Sequence, residues 1–378
     1  RKSFEIQNNT LLQTWKKENI LKSSAKYIGG LVGSYTLLAK EKGSILNSNV
    51  EAKLTVVNAG KQTLSIENNQ FVLNGMVYTI DAFGNVYTDD GTLVASGTKF
   101  VLEDYNCTLN ASKTKLECEP ILNPEVYVGG SIGFVEASVG RNMLIEGDYF
   151  VGNIDIDRIS PMNVGSFVGY ASNVNIETAF ANAKVNVIGA KHKAVVGGFA
   201  GEITNSVTTN VMMFGDVDLT IESNEKDLSI GGFAGRINGQ IDNCITFANM
   251  RLSNEKNNWT ALSSGTENQQ IGGFAGSLGV NSNNLIMRND VSFASIFNNS
   301  LLTNIDGFAY QTPTNFNSRD NDNVKNVYFD KYLSLTASDK AKCGQTSTSF
   351  LYYDSSSSTS FELLDANDQY SIFKFGSD

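Results

Sequence analysis

The chain has 378 residues, a formal net charge of −10 and 41% hydrophobic residues. This apolar content excludes a wholly disordered chain, and the acidic balance excludes the basic face that a nucleic-acid binder needs to displace counterions. No run of 18 apolar residues occurs, so neither a nucleic-acid partner nor a membrane span is expected.

Glycine (34) far outnumbers proline (4), and Asn, Ser and Thr are abundant, a balance that suggests many tight turns between strands. The chain opens on Arg1 rather than Met and is read as a mature or partial chain. Residues 1–26 are expected to form an N-terminal cap, with "TLLQTWKKENILK" (Thr10 to Lys22) of helical character. Such a cap blunts an open sheet edge.

From residue 27 a short phrase recurs. "IGGLVG" runs from Ile28, "VGGFAG" from Val196, and "IGGFAG" from Ile230 and again from Ile271. Aligned on the second glycine, clear copies fall at Gly30, Gly130, Gly198, Gly232 and Gly273, with degenerate ones at Ser166 and Gly307. From 130 onward the spacings are 36, 32, 34, 41 and 34, the signature of a repeat architecture. Each phrase leads into an aliphatic–Asn segment and then a period-2 run such as Val217, Leu219 and Ile221. That pattern indicates strands. One unit cannot bury its own apolar face, but stacked copies can. Residues 27–330 are therefore expected to be an all-β solenoid, read as a parallel right-handed β-helix. The repeat glycines Gly29, Gly30, Gly33, Gly129, Gly130, Gly197, Gly198, Gly201, Gly231, Gly232, Gly235, Gly272, Gly273 and Gly276 are read as its corners. Glycine is expected there to supply positive φ and close backbone approach. Phe199, Phe233 and Phe274 are expected to stack inside.

Residues 61–126 interrupt the period. The turns "FGN" and "DDGT" between alternating runs predict an inserted β-hairpin subdomain. Within it Cys107 and Cys118 bracket a strand–turn–strand pattern that fits a cross-hairpin disulfide. Cys244 reads as a small core residue, and Cys343 has no evident partner. Another long loop is expected from Asn254 to Gln270. Residues 331–378 are expected to be a C-terminal cap or linker.

The phrases "GGLVG" and "GGFAG", followed by segments such as "ILNS" and "IDNC", resemble GLUG-motif repeats. The tail from Asn326 to Phe350 resembles the segment that closes such arrays. The resemblance covers about 27–60 and 127–350. It implies a β-solenoid in a surface or secreted, often adhesin-like protein. The sequence departs from it where Phe–Ala replaces Leu–Val and at Ser166.

The glycine phrases lack the spacing and the following helix of a phosphate cradle, and they lie among polar residues, unlike a membrane GxxxG face. His192 is the one histidine, and no zinc-type cluster or GxSxG elbow accompanies it. No catalytic set, metal or cofactor is expected. The acidic pairs Asp155 with Asp157 and Asp216 with Asp218 each share one strand face and suit a solvated surface, carbohydrate chemistry or calcium binding. "RDNDNVKN" from Arg319 resembles the start of a calcium loop but lacks its Gly and distal Glu. N-glycosylation sequons lie at Asn8, Asn106, Asn110, Asn258 and Asn298.

The leading expectation is a non-enzymatic, extracellular or cell-surface scaffold. It would present its insertion and the loop near Trp259 to a protein or glycan partner, or to copies of itself. A carbohydrate-binding or carbohydrate-cleaving β-helix using the carboxylate face is the first alternative. A filament or assembly subunit is the second.

Overall fold

The structure is a computed structural model. It describes residues 3–7, 10–11, 20–23, 25–38, 41–57, 61–73, 76–103, 105–121, 125–138, 143–157, 160–190, 193–221, 227–254, 269–279, 285–298, 305–313 and 323–329. Among these, every regular element is a β-strand. The expected helical cap is corrected: Thr10–Leu11 and Ile20–Ser23 are strands, paired in parallel with Asn49–Val57. The remainder of that stretch, and residues 331–378, lie outside the described residues.

Contacts divide the chain into two units. One comprises Arg1–Ser23, Tyr27–Val56 and Val126–Asp378; the other comprises Ser24–Lys26 and Val57–Glu125.

The larger unit holds three parallel sheets of seven, ten and thirteen strands. One repeat shows the route. Ala194–Gly197 lies in the seven-stranded sheet, Gly198 and Phe199 turn the chain, and Ala200–Thr209 enters the thirteen-stranded sheet. Asn210 and Val211 turn it again into Met212–Ile221 of the ten-stranded sheet, and Leu228–Gly231 then lies beside Ala194–Gly197. Each strand pairs with its counterpart one repeat on, as in Val196 with Ile230, Ile203 with Ile237 and Val217 with Met250. Period-2 alternation does the rest. Val185, Val217, Leu219, Met250 and Leu252 are buried, while the residues between them face outward.

Two of the connections never change length. The turn out of the seven-stranded sheet is always two residues, beginning at 30, 130, 166, 198, 232, 273 and 307. The seven positions aligned from the sequence thus occupy one structural place, degenerate copies included. The turn into the ten-stranded sheet is also two residues, beginning at Asn47, Gly147, Thr178, Asn210, Asn243, Asn289 and Asn326. All seven of these have left-handed backbones, with φ from 49° to 70°. Asparagine tolerates that region better than other side-chain-bearing residues. Along this corner the Asn243 amide donates to Asn210 Oδ1 at 2.7 Å, and the Asn326 amide to Asn289 Oδ1 at 2.8 Å.

The physical reason first assigned to the phrase glycines is therefore corrected. Positive φ belongs to the asparagine corner, not to Gly198, Gly232 or Gly273. At Gly232 the requirement is close approach: an added Cβ would fall on the Gly273 carbonyl of the next repeat. Beside that turn Phe167, Phe199, Phe233, Phe274 and Phe308 stack in sequence, with ring centroids 4.8, 5.2, 4.7 and 4.9 Å apart. All five are fully buried.

The smaller unit has two antiparallel four-stranded sheets. Phe71, Leu73, Tyr78, Ile80 and Val86 from one share a single core with Leu102, Tyr105, Leu109 and Leu116 from the other. Its main stretch is Val57–Glu125, and Val126 begins a strand of the seven-stranded sheet. Cys107 and Cys118 lie directly opposite each other on adjacent strands and are joined in a disulfide. Closing an 11-residue separation restricts the unfolded chain by about 3 kcal/mol. The double variant Cys107→Ala/Cys118→Ala is expected to lose about that much stability within this unit. Hydrogen exchange should show faster opening of strands 62–120 and little change in the parallel sheets; equal protection in both proteins would contradict this.

Candidate functional site

Three features carry chemically distinctive side chains: the acidic outer face of the ten-stranded sheet, the buried carboxyls of the parallel-sheet unit, and the surface of the inserted unit.

On the outer face, cross-strand register brings the expected carboxylates together with residues the sequence reading missed. Asp155 lies level with Asn186, Asp218 and Arg251, and the next outward row holds Lys184, Asp216 and Asn249. Arg251 Nη1 donates to Asp216 Oδ2 at 3.0 Å and to Asp218 Oδ1 at 3.1 Å. Lys184 pairs with Asp218 at 2.9 Å, and Lys53 with Asp155 at 3.2 Å. The Asn249 amide donates to Asp216 Oδ1 at 3.1 Å. Partial burial opposes ionisation of Asp216, but the hydrogen bonds from Asn249 and Arg251 outweigh it and hold that carboxyl below its usual range. Glycosidic cleavage needs one carboxyl kept protonated to act as an acid. Asp216 is tuned the opposite way. Asp157 is exposed at the end of its strand.

The same face carries Phe214, Phe247 and Phe293, half-buried, with centroids 4.6 and 5.0 Å apart and planes within 12°. Rings stacked on one another this way present edges outward, so they form no open platform for a sugar ring. The face works as a cross-strand ladder of charge and aromatic pairs, each contributing a few tenths to about 1 kcal/mol. Asp216→Asn is accordingly expected to change unfolding free energy by less than about 1 kcal/mol, since Arg251 keeps Asp218. Urea unfolding checks this, and a loss above 3 kcal/mol would contradict it.

Inside the sheets are buried acids that the sequence reading also missed. Asp148 and Asp290 both follow the left-handed corner residue. Asp148 Oδ1 accepts from the Ser48 amide and Asp290 Oδ1 from the Cys244 amide, while the Oδ2 of each has no partner among the described residues. Cys244 is a buried free thiol, pushed up by desolvation and by the nearby Asp290 charge. Asp306 stands where other repeats have glycine and accepts from the Phe308 amide at 3.0 Å. These groups are buried within the packing.

The inserted unit differs in its surface. It holds seven of the twelve exposed large hydrophobics among the described residues: Val72, Met76, Val77, Phe83, Leu93, Val94 and Val101. Val72 and Val77 are cross-strand partners on the outward face of one sheet. Phe83 is 84% exposed at the tip of a turn. That turn is fixed by one carboxylate. Asp81 accepts from the Phe83 amide at 2.8 Å, the Asn85 amide at 2.9 Å, Asn85 Nδ2 at 2.8 Å and the Tyr87 hydroxyl at 3.2 Å. Lys113, from the turn of the disulfide hairpin, donates to the Ala82 carbonyl. Four donors and a lysine brace hold a bare phenyl ring outward, as a rigid recognition anchor requires.

The chain's connections point to the same place. The links from the ten-stranded back to the seven-stranded sheet differ in length, and the insertion occupies the one between Asn49–Val57 and Val126–Gly129. The link between 254 and 269 occupies another; its residues 255–268, with Asn258 and Trp259, lie outside the described residues. So do Asn8, His192 and Cys343, and Asp320 of the calcium-like run. Asn298 ends a described strand. Among the described residues no group of three or more His, Cys, Asp or Glu is placed to hold a metal, and no helix is long and apolar enough to cross a membrane. No family model, curated protein or solved structure matches this chain.

Proposed function

We propose that the chain is a non-enzymatic β-solenoid scaffold, in the manner of GLUG-type repeats and read as a right-handed parallel β-helix, that presents its inserted unit to a partner protein outside the cell or at its surface. The observation that carries this reading is the Phe83 turn: an exposed phenyl ring, pinned by Asp81, in the unit that holds most of the exposed apolar side chains. The constant two-residue turns support a stiff frame. The variable links support one side of the repeat as the place where binding segments are grafted. The disulfide supports an oxidising compartment.

The test measures attachment of beads coated with the full chain to cells and to immobilised extracellular-matrix proteins. Phe83→Ala is expected to reduce attachment at least tenfold without changing the far-ultraviolet circular dichroism, since Phe83 touches no core. Unchanged attachment would remove Phe83 from the reading. The carbohydrate alternative rests on Asp155, Asp157, Asp216 and Asp218. Turnover of a polysaccharide that is lost in Asp155→Asn or Asp216→Asn would replace the scaffold reading with it.

A further inference from the structure

Among the sequons, two fall on one described hairpin of the inserted unit, and the structure separates them. Asn110 is committed to its turn. Its Oδ1 accepts from the Thr114 amide at 2.8 Å and the Lys115 amide at 3.0 Å. Its Nδ2 donates to the Ser112 hydroxyl at 3.0 Å and the Thr114 hydroxyl at 3.1 Å. Replacing one Nδ2 hydrogen with a sugar removes one of those bonds and forces bulk into the turn that aligns the two disulfide strands. Asn106 is the opposite case. It lies mid-strand in Tyr105–Leu109, exposed, with its sequon hydroxyl Thr108 projecting from the same outward face. No hydrogen bond engages its carboxamide among the described residues. Its direct cross-strand neighbours are Val101, 56% exposed, on one side and Glu119 on the other, and the same face carries Lys99, Thr108 and Glu117.

We propose that Asn106 carries an N-linked glycan, that Asn110 does not, and that the first sugar of this glycan covers Val101. The proposal rests on the secreted reading above, because the donor is a lipid-pyrophosphate-linked oligosaccharide of a secretory compartment. In the transfer, the bond between sugar C1 and the phosphate oxygen breaks and a C1–Nδ2 bond forms. The amide loses one proton, and the lipid pyrophosphate leaves. The disulfide at the next residue, Cys107, forms in the same kind of compartment. A sugar at Asn106 lies over the outer sheet face and leaves the shared core of the unit untouched.

The experiment secretes the full chain from a eukaryotic cell. Glycans are released with an amidase in heavy-oxygen water, and peptide fragmentation locates the resulting Asp. The expected result is label at Asn106 and none at Asn110. Thr108→Ala should remove the glycan and Ser112→Ala should retain it. Both hydroxyls are on exposed positions, and an intact Cys107–Cys118 disulfide in each variant verifies the fold. Label at Asn110, with or without Asn106, overturns the proposal, as does an unlabelled peptide from secreted protein. Failure of this test leaves bead attachment unaffected, so it is distinguishable from failure of the scaffold reading.

Discussion

Phe233→Ala is expected to lower the unfolding free energy of the parallel-sheet unit by about 4 kcal/mol. Phe233 is fully buried, and its ring lies between Phe199 at 5.2 Å and Phe274 at 4.7 Å. Truncation removes one large side chain and opens a gap between two others that fixed strand spacing prevents from closing. Phe233→Leu should cost far less, about 1.5 kcal/mol. The sequence itself carries Leu31 at the equivalent turn of the first repeat. Gly232→Ala is expected to rival Phe233→Ala although it adds a single methyl group. Its Cβ would overlap the Gly273 carbonyl, which is held in place by the next strand. Urea unfolding followed by far-ultraviolet circular dichroism measures all three. A loss below 1 kcal/mol for Phe233→Ala would mean that the ladder is not the core of this unit.

Stability is expected to fall as pH rises from about 4 to about 7. Desolvation pushes the Asp148 carboxyl up to about 7, with the Glu146 charge adding to it and the Ser48 amide opposing. Desolvation likewise raises Asp306 to about 7 against the Phe308 and Gly307 amides, and it also raises Asp290. In the unfolded chain these acids ionise near 3.8, so between that pH and 7 the folded state holds protons that the unfolded state has lost. Stability then declines with pH, by about 4 kcal/mol for each of Asp148 and Asp306 across the window. Asp216 acts with the opposite sign at lower pH: its depressed carboxyl contributes stability that disappears on acidification below about 4. The optimum should therefore lie near pH 4 to 5. Asp148→Asn, a neutral mimic of the protonated acid, should flatten the slope by up to one proton's worth. An optimum at pH 8, or an unchanged slope in that variant, would contradict this.

Much of the fold was legible because periodicity survives substitution. The seven turns aligned on the GG phrase, including Ser166 and Gly307, coincide in space. What the letters concealed was the division of labour between corners. Glycine suggested left-handed backbone, yet the left-handed turn belongs to Asn210, Asn243, Asn289 and Asn326. A signal was present: an asparagine precedes the third strand in five of the seven repeats, at Asn47, Asn210, Asn243, Asn289 and Asn326. At Thr10–Leu11 and Ile20–Ser23 the helical appearance failed because local propensity yields to a neighbouring sheet edge that offers ready-made pairing.

The candidate sites were less legible. Asp155, Asp216 and Asp218 were visible as acidic pairs, but their meaning depended on Lys53, Lys184 and Arg251, each at least 33 residues in sequence from the carboxylate it pairs with and brought beside it only through register. Asp148 and Asp290 look like turn residues in sequence, and only the structure shows them to be buried acids. Phe83 was hidden inside "DAFGN", where a turn reading accounts for every residue except the phenyl ring.

The scaffold reading depends most on binding residing in the insertion rather than on the sheets. The direct measurement deletes residues 57–125, joins the flanking strands with a short Gly/Ser linker, and compares attachment and unfolding with the full chain. The expected result is a cooperative β-sheet unfolding transition retained by the deleted protein, together with loss of attachment to cells and matrix proteins. Full attachment by a folded deletion protein would contradict it and place recognition on the parallel sheets.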